Sequence, residues 1–359
     1  MWCDGLSIDP RVDERSGYHK GMIMTRLRRV RVLLMVCMIA ALGSLALVSR
    51  SPVSSQPASS QQQAPQAEMA GTWTAGPALG TTRTEVAAAA VDGILYVVGQ
   101  YPGGAAPAGA NEAFDPSSGT WTLRAPLPAE LHHACAAAVG GQLYVVGGYQ
   151  AADGAAVATL FAYDPAADAW TARAPLPTAR GALVCPVVDG RIYAIGGDGP
   201  AGDTSVVEVY DPTMDAWDTT LPPMPTPRNH IAGAALDGKV YVVGGRAARL
   251  GSLMQTHEVL DTSTWTWTEA APLPTGRSGM MATVFQGRLH VIGGEGGPAT
   301  FAEHEAYDPT TDTWTAYAPL PTARHGLGVV TLNEAIYVAS GGPRPGATFS
   351  DALEIFTLP

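Results

Sequence analysis

Positive charge is scarce in this chain. Its 359 residues carry 21 Lys or Arg against 32 Asp or Glu, a net charge of −11, and the lysines are Lys20 and Lys239 alone. Residues 1–50 hold eight basic and four acidic residues, a balance of +4 that leaves −15 for the remainder. A surface of that sign repels phosphate backbones and anionic headgroups, which argues against nucleic acid as a partner and confines any membrane contact to the N-terminal segment. Cysteine is also sparse: Cys3, Cys37, Cys135 and Cys185 form neither a metal-ligand spacing nor a disulfide framework. No Ser-His-Asp set, phosphate loop or paired-carboxylate signature is present, so no catalytic residue or cofactor is assigned.

What is present starts with Arg26, Arg28, Arg29 and Arg31, which abut an apolar run over 32–48. A basic stretch before an apolar core reads as an export signal and places the rest of the chain outside the cytoplasm. The run is at the short limit for a spanning helix, and no clean small-x-small site precedes Arg50. A cleaved signal peptide and a retained signal anchor both fit. Met22 or Met24 would set the arginines at a normal distance from a start. Residues 1–25 receive no assignment, 26–48 are the signal or anchor, and 49–70, rich in Ser, Gln, Pro and Ala, form a flexible tether.

From residue 71 to 359 the chain repeats. Trp73, Trp121, Trp170, Trp217, Trp267 and Trp314 recur at intervals of 47 to 50 residues. Each unit offers four short strands: a small-residue run (a), a Leu-Tyr-Val-Val type run (b), a run ending at Phe114, Tyr163, Tyr210, Leu260, Tyr307 or Phe356 (c), and one starting near the tryptophan (d). Asp92-Gly93, Gly140-Gly141, Asp189-Gly190 and Asp237-Gly238 are two-residue hairpin turns joining a to b. Four such strands cannot bury both faces, so the units must stack around an axis. The first unit begins with a lone d strand and the last lacks one, so the termini should complete one blade. The prediction is an all-β, six-bladed propeller whose last blade is closed by the N-terminal strand, acting as a monomer.

The Gly pairs Gly147-Gly148, Gly196-Gly197, Gly244-Gly245 and Gly293-Gly294, with the strand-b tyrosine and the spaced tryptophan, resemble kelch repeats. Gly99-Gln100 and Ser340-Gly341 depart from the pattern. The resemblance implies a kelch propeller, and kelch propellers serve as protein-binding modules, carbohydrate-binding domains and, occasionally, enzymes. Exported six-bladed ones resemble a sialic-acid epimerase. Seven-bladed ones resemble galactose oxidase, whose Tyr/His copper site and added β domain have no counterpart here. The expectation is a binding module for a protein or glycan ligand at the face bearing the b–c and d–a loops, with a carbohydrate-acting enzyme as the alternative. An enzyme should show a closed pocket where an unpaired Glu and a His converge; a binder should show an open, shallow mouth.

Candidate site residues follow from the repeat. Arg83, Arg180, Arg228, Arg277 and Arg324 start strand a, and Leu131 replaces them in the second unit. Glu112, Glu208, Glu258, Glu305 and Glu354 sit in strand c, and Phe161 replaces them in that same unit. Covariation within one chain points to intrablade ion pairs, with ligand contact by Arg228, Arg277 and Arg324 as a secondary role. His132, His133, His230 and His325 follow the arginine position. They could build a three-His metal site near the axis, but the reading adopted is that they face the water of the channel, His230 and His325 contact ligand, and no metal is bound. His257 and His304 are read as second-sphere or solvent-facing. Arg246 and Arg249, beside Leu250, Leu253 and Met254, mark the loop best suited to partner contact. Cys135 and Cys185 lie in corresponding strands of neighbouring units and are read as buried thiols; a disulfide would need Cα atoms within about 7 Å.

Overall fold

Strands of four or five residues bury their apolar faces only against other sheets, and the chain solves this by closing a circle. The computed structural model describes residues 70–247 and 252–359. The export segment, the tether, Arg249 and Leu250 lie outside the described residues. Six four-stranded antiparallel sheets form, each a blade. In the first, Ala87–Val91, Ile94–Val98, Asn111–Asp115 and Thr120–Leu123 are strands a to d. The innermost strands of successive blades touch all the way round the axis.

Closure follows the predicted scheme. Thr72–Ala75 pairs antiparallel with Leu353–Thr357, Trp73 opposite Phe356, and supplies the outer strand of the sheet that also holds Gly328–Leu332 and Ala335–Ala339. Trp73 then behaves like its five counterparts. Each tryptophan donates its indole N–H to a carbonyl in the d–a connection of the preceding blade: Trp73 to Ala318, Trp121 to Pro77, Trp170 to Ala125, Trp217 to Ala174, Trp267 to Pro222 and Trp314 to Ala271, at 2.8 to 3.3 Å.

A second circle lies nearer the axis. The N–H of the second residue of each Gly pair reaches the carbonyl of the residue that starts strand a in the next blade. These contacts are Gln100 to Leu131, Gly148 to Arg180, Gly197 to Arg228, Gly245 to Arg277, Gly294 to Arg324 and Gly341 to Arg83. Glycine is needed there on two counts. Gly147 has φ +59, and a Cβ on it would lie 2.4 Å from the Arg180 carbonyl oxygen.

The arginines whose carbonyls take part turn their side chains back into their own blades. Arg277 donates Nη1 to Glu305 at 2.5 Å, Nη2 to the Val291 carbonyl of strand b at 3.1 Å, and Nε to the Gly293 carbonyl at 2.7 Å. Thr275 caps the other carboxylate oxygen. Arg83–Glu112, Arg180–Glu208, Arg228–Glu258 and Arg324–Glu354 repeat the ion pair, each with a threonine on the glutamate, although Arg83 turns Nε to Thr81 and Arg180 Nε has no partner. All five arginines are fully buried. In the second blade Leu131 and Phe161 join one apolar cluster instead.

The structure corrects two readings. Adjacent inner strands bring Cys135 and Cys185 to a Cα separation of 5.9 Å and join them in a disulfide. His257 and His304 are buried rather than solvent-facing, 2% and 1% exposed. His257 packs on Tyr307 and Trp314. His304 Nε2 lies 2.7 Å from His290 Nδ1 among Phe356, Tyr317 and Trp73. Burial pushes His290 down to about 4 and His304 down to about 3.

Two predictions follow from these buried charges and potential charges. Glu258→Ala strands the Arg228 guanidinium and should lower stability by about 3–5 kcal/mol. The paired change Arg228→Leu with Glu258→Phe, patterned on the second blade, should lower it by less in the same urea titration. His290 and His304 stay neutral when folded, whereas an unfolded chain takes up protons on them near pH 6.5. Stability therefore falls as pH drops from about 6.5 toward the folded values. His290→Tyr with His304→Leu should flatten that fall in melting temperatures recorded between those limits.

Candidate functional site

The site lies on the axis, at the end where the b–c and d–a loops gather, and grows from a third backbone circle. Two residues beyond the start of each blade's clasp come Glu85, His133, Ala182, His230, Gly279 and Gly326. Each has a left-handed backbone, φ +49 to +64. Each amide in this circle donates to the carbonyl of the member before it: His133 to Glu85, Ala182 to His133, His230 to Ala182, Gly279 to His230 and Gly326 to Gly279, at 2.8 to 3.1 Å. The Val86 amide closes the loop on Gly326 at 3.3 Å.

The left-handed region is ordinary for glycine and disfavoured for side chains, so Glu85, His133 and His230 are held there by the surrounding hydrogen bonds. The two glycines make room. A Cβ on Gly326 would lie 2.6 Å from Glu85 Cδ, and one on Gly279 would lie 3.4 Å from Glu295 Cγ.

The residue after each Gly pair forms an upper tier: Tyr149, Asp198, Arg246 and Glu295 in blades two to five. Arg246 donates Nη1 to Glu295 Oε1 at 3.0 Å and Nη2 to His230 Nε2 at 2.8 Å. His133 Nε2 lies 3.2 Å from Glu85 Oε2. His325 Nε2 lies 3.3 Å from Glu85 Oε1 and 3.6 Å from Glu295 Oε2. The Tyr149 ring packs on both His132 and His133. Asn229 accepts His230 Nδ1 and is itself held by Asp203.

Electrostatics follow from this crowding. Burial, with the Glu295 charge adding to it and His325 opposing, pushes the Glu85 carboxyl up to about 7. Burial holds the His133 and His230 imidazoles well below their usual value, and neighbouring Arg246 acts in the same direction. The group is thus a proton-exchanging carboxyl among neutral imidazoles. Ligating atoms of Glu85, His133 and His230 all lie within 4.8 Å of one another, a set able to hold a metal ion. A cavity of about 50 Å³ adjoins them, walled by Leu183, Ile231, Met280 and Leu327. A channel of about 330 Å³ continues between the inner strands past the disulfide.

Of the expected ligand contacts, the structure brings His230, His325 and Arg246 to the axial end, but His325 is buried there, 1% exposed, and neither it nor His132 faces the water of the channel as expected. The structure withdraws Arg228, Arg277 and Arg324, which are fully buried and spent on glutamates and carbonyls, so a ligand has no surface of theirs to touch. Glu85, Glu295 and Tyr149 were missed. Their signal was positional: Glu85 shares its offset from the start of strand a with His133 and His230, and Tyr149 and Glu295 share theirs from the Gly pair with Arg246.

A model of the KLHDC2/KLHL20/DRC7 Kelch-repeats domain matches residues 85–272 and 184–357. Among solved structures the chain is similar to that titled "Structure of YjhT", with a TM-score of 0.67 and 17% identity over 79% of this chain and 97% of that one, a likeness of fold. No curated protein matches. The six sheets, the ring closure and the family match agree, and the chain belongs to the KLHDC2/KLHL20/DRC7 kelch-repeats domain family.

Proposed function

We propose that this chain is an extracytoplasmic propeller that binds a glycan at its loop-bearing face, with a sugar residue seated on the axial mouth. One observation carries the reading: Glu85, His133, His230, Arg246, Glu295 and His325, from five different blades, converge on one end of the axis. Carboxylates, imidazoles and one guanidinium supply the alternating acceptors and donors that sugar hydroxyls require. The mouth is narrow: Arg246, at 29%, has the most exposed side chain of its ion pairs, while Glu85 and Glu295 are near 12–13%. That shape suits a small ligand, or the end of a chain, better than a broad protein surface.

A second reading, a carbohydrate-acting enzyme, is favoured by Glu85. It stands outside the arginine clasps and exchanges its proton near neutrality beside neutral imidazoles, as a general acid or base must. Placement outside the cytoplasm is supported by the arginine-flanked apolar run and by the Cys135–Cys185 disulfide, since such bonds persist in oxidising compartments.

Three measurements test this. A glycan array and a sugar-epimerisation screen should give a ligand whose binding weakens about tenfold or more in Arg246→Ala; retained affinity in that variant would move the site elsewhere. Glu85→Gln should abolish turnover while leaving binding if the enzyme reading is right. Alkylation in the native host should find Cys135 and Cys185 blocked, and two free thiols would place the chain in a reducing compartment.

A further inference from the structure

We propose that Glu85, His133 and His230 bind a divalent first-row transition ion on the propeller axis, with Zn²⁺ the ion of choice. The inference stands apart from the glycan reading, because it concerns the donor set alone.

Tautomer geometry is the main argument. Arg246 Nη2 lies 2.8 Å from His230 Nε2, and a guanidinium only donates, so that nitrogen carries a lone pair. The proton then sits on Nδ1, which donates to Asn229 Oδ1. Asn229 is in turn anchored on Asp203. Such an outer partner on the far nitrogen, fixing tautomer and ring orientation, is the arrangement that metal-binding histidines use. His325 repeats it, with Nδ1 3.0 Å from the Gly342 carbonyl and Nε2 turned to Glu85. His133 turns Nδ1 to His132 and Nε2 to Glu85 Oε2 at 3.2 Å.

The outcome is a carboxylate and several imidazole nitrogens aimed at one another. Where an unprotonated nitrogen faces the carboxylate, as the His325 tautomer has it, two acceptors meet and repel unless a proton or a cation stands between them. The ligating atoms lie within 4.8 Å of one another, against a donor–donor edge of about 3.4 Å for a tetrahedral ion with bonds near 2.1 Å. Side-chain rotations of about an ångström would close that gap. Arg246 already holds Glu295, so it can leave His230 without losing its carboxylate.

Backbone conformation is an independent observation. Glu85, His133 and His230 sit at φ +53, +52 and +49, where the axial circle elsewhere uses Gly279, Gly326 and Ala182. Side chains are retained at a conformation that disfavours them, and all three are of metal-binding type. Strain of this kind gathers at functional positions. Two histidines with one carboxylate suit zinc and its first-row neighbours rather than Ca²⁺ or Mg²⁺.

The test uses the purified, untagged full chain, stripped with chelator and titrated with Zn²⁺ by calorimetry and with Co²⁺ by visible absorption, with no sugar present. One ion per chain is expected, tighter than about 1 μM. His133→Ala and His230→Ala should each weaken it by about 100-fold or more, and Asn229→Ala by about 10–100-fold through the lost outer partner. Arg246→Ala, which removes the competing donor, should tighten binding or leave it unchanged. Glu85→Gln keeps the shape of the side chain, and circular dichroism reports whether each variant is folded. Failure of the wild-type chain to bind either ion overturns the proposal. So does undiminished binding in a folded His133→Ala, His230→Ala double variant. Glycan binding that survives full metal stripping would leave the glycan reading standing by itself.

Discussion

The propeller depends on a backbone carbonyl being presented where the neighbouring blade needs it. Five clasp arginines do this with both ends: the side chain is locked to its own strand b and strand c, while the carbonyl receives an N–H from the preceding blade. A buried guanidinium costs least when its donors are used, and Arg277 uses Nε, Nη1 and Nη2 together. The ion pair is therefore best understood as a positioning device. The second blade shows that its charge is dispensable for this purpose, since the Leu131 carbonyl accepts the same bond with an apolar side chain behind it.

Once those carbonyls are fixed, the axial circle two residues further on has little freedom. Six left-handed residues bonded head to tail form a rigid collar, and the side chains it carries are aimed by the scaffold rather than by their own packing. The collar is nearly sixfold in backbone but not in chemistry. Blades one, two and four contribute Glu85, His133 and His230; blades five and six contribute glycine, with Glu295 and His325 leaning over Gly279 and Glu85 filling the space beside Gly326. Symmetry supplies the frame, and departures from it supply the site.

How much of this was legible in the sequence follows the same division. Everything periodic could be read: the tryptophan spacing, the Asp-Gly hairpins at left-handed φ, the lone first strand completing the last blade, and the joint absence of Arg and Glu in the second unit. Those features recur, so each copy vouches for the others. The chemistry at the axis occupies a constant position but varies in residue type, so Glu85 stands at the same offset as His133 and His230 without sharing the residue type that marks them. The Arg–Glu pairing within each blade is legible from that covariation and is what the structure shows, whereas the secondary role of Arg228, Arg277 and Arg324 as ligand contacts fails on burial, because only a structure shows which side of a strand end a side chain takes. The cysteines turned on a distance, 5.9 Å between Cα atoms, that repeat spacing bounds without fixing.

The disulfide adds a constraint of a different kind. It ties the inner strands of blades two and three, and strand a of the third blade is the shortest, reduced to Val187–Val188 after Pro186 interrupts it. A proline has no N–H to give strand b of its own blade, so this inner strand pairs over fewer residues than the other five. The covalent link ties that short strand to the inner strand of blade two. His133, on the collar two residues before Cys135, and Ala182, three residues before Cys185, are joined by the Ala182 amide. The link therefore fixes the spacing of the collar on the side where its side chains change from His133 to Ala182. Tying two neighbouring inner strands and holding the aim of His133 are then consequences of one bond.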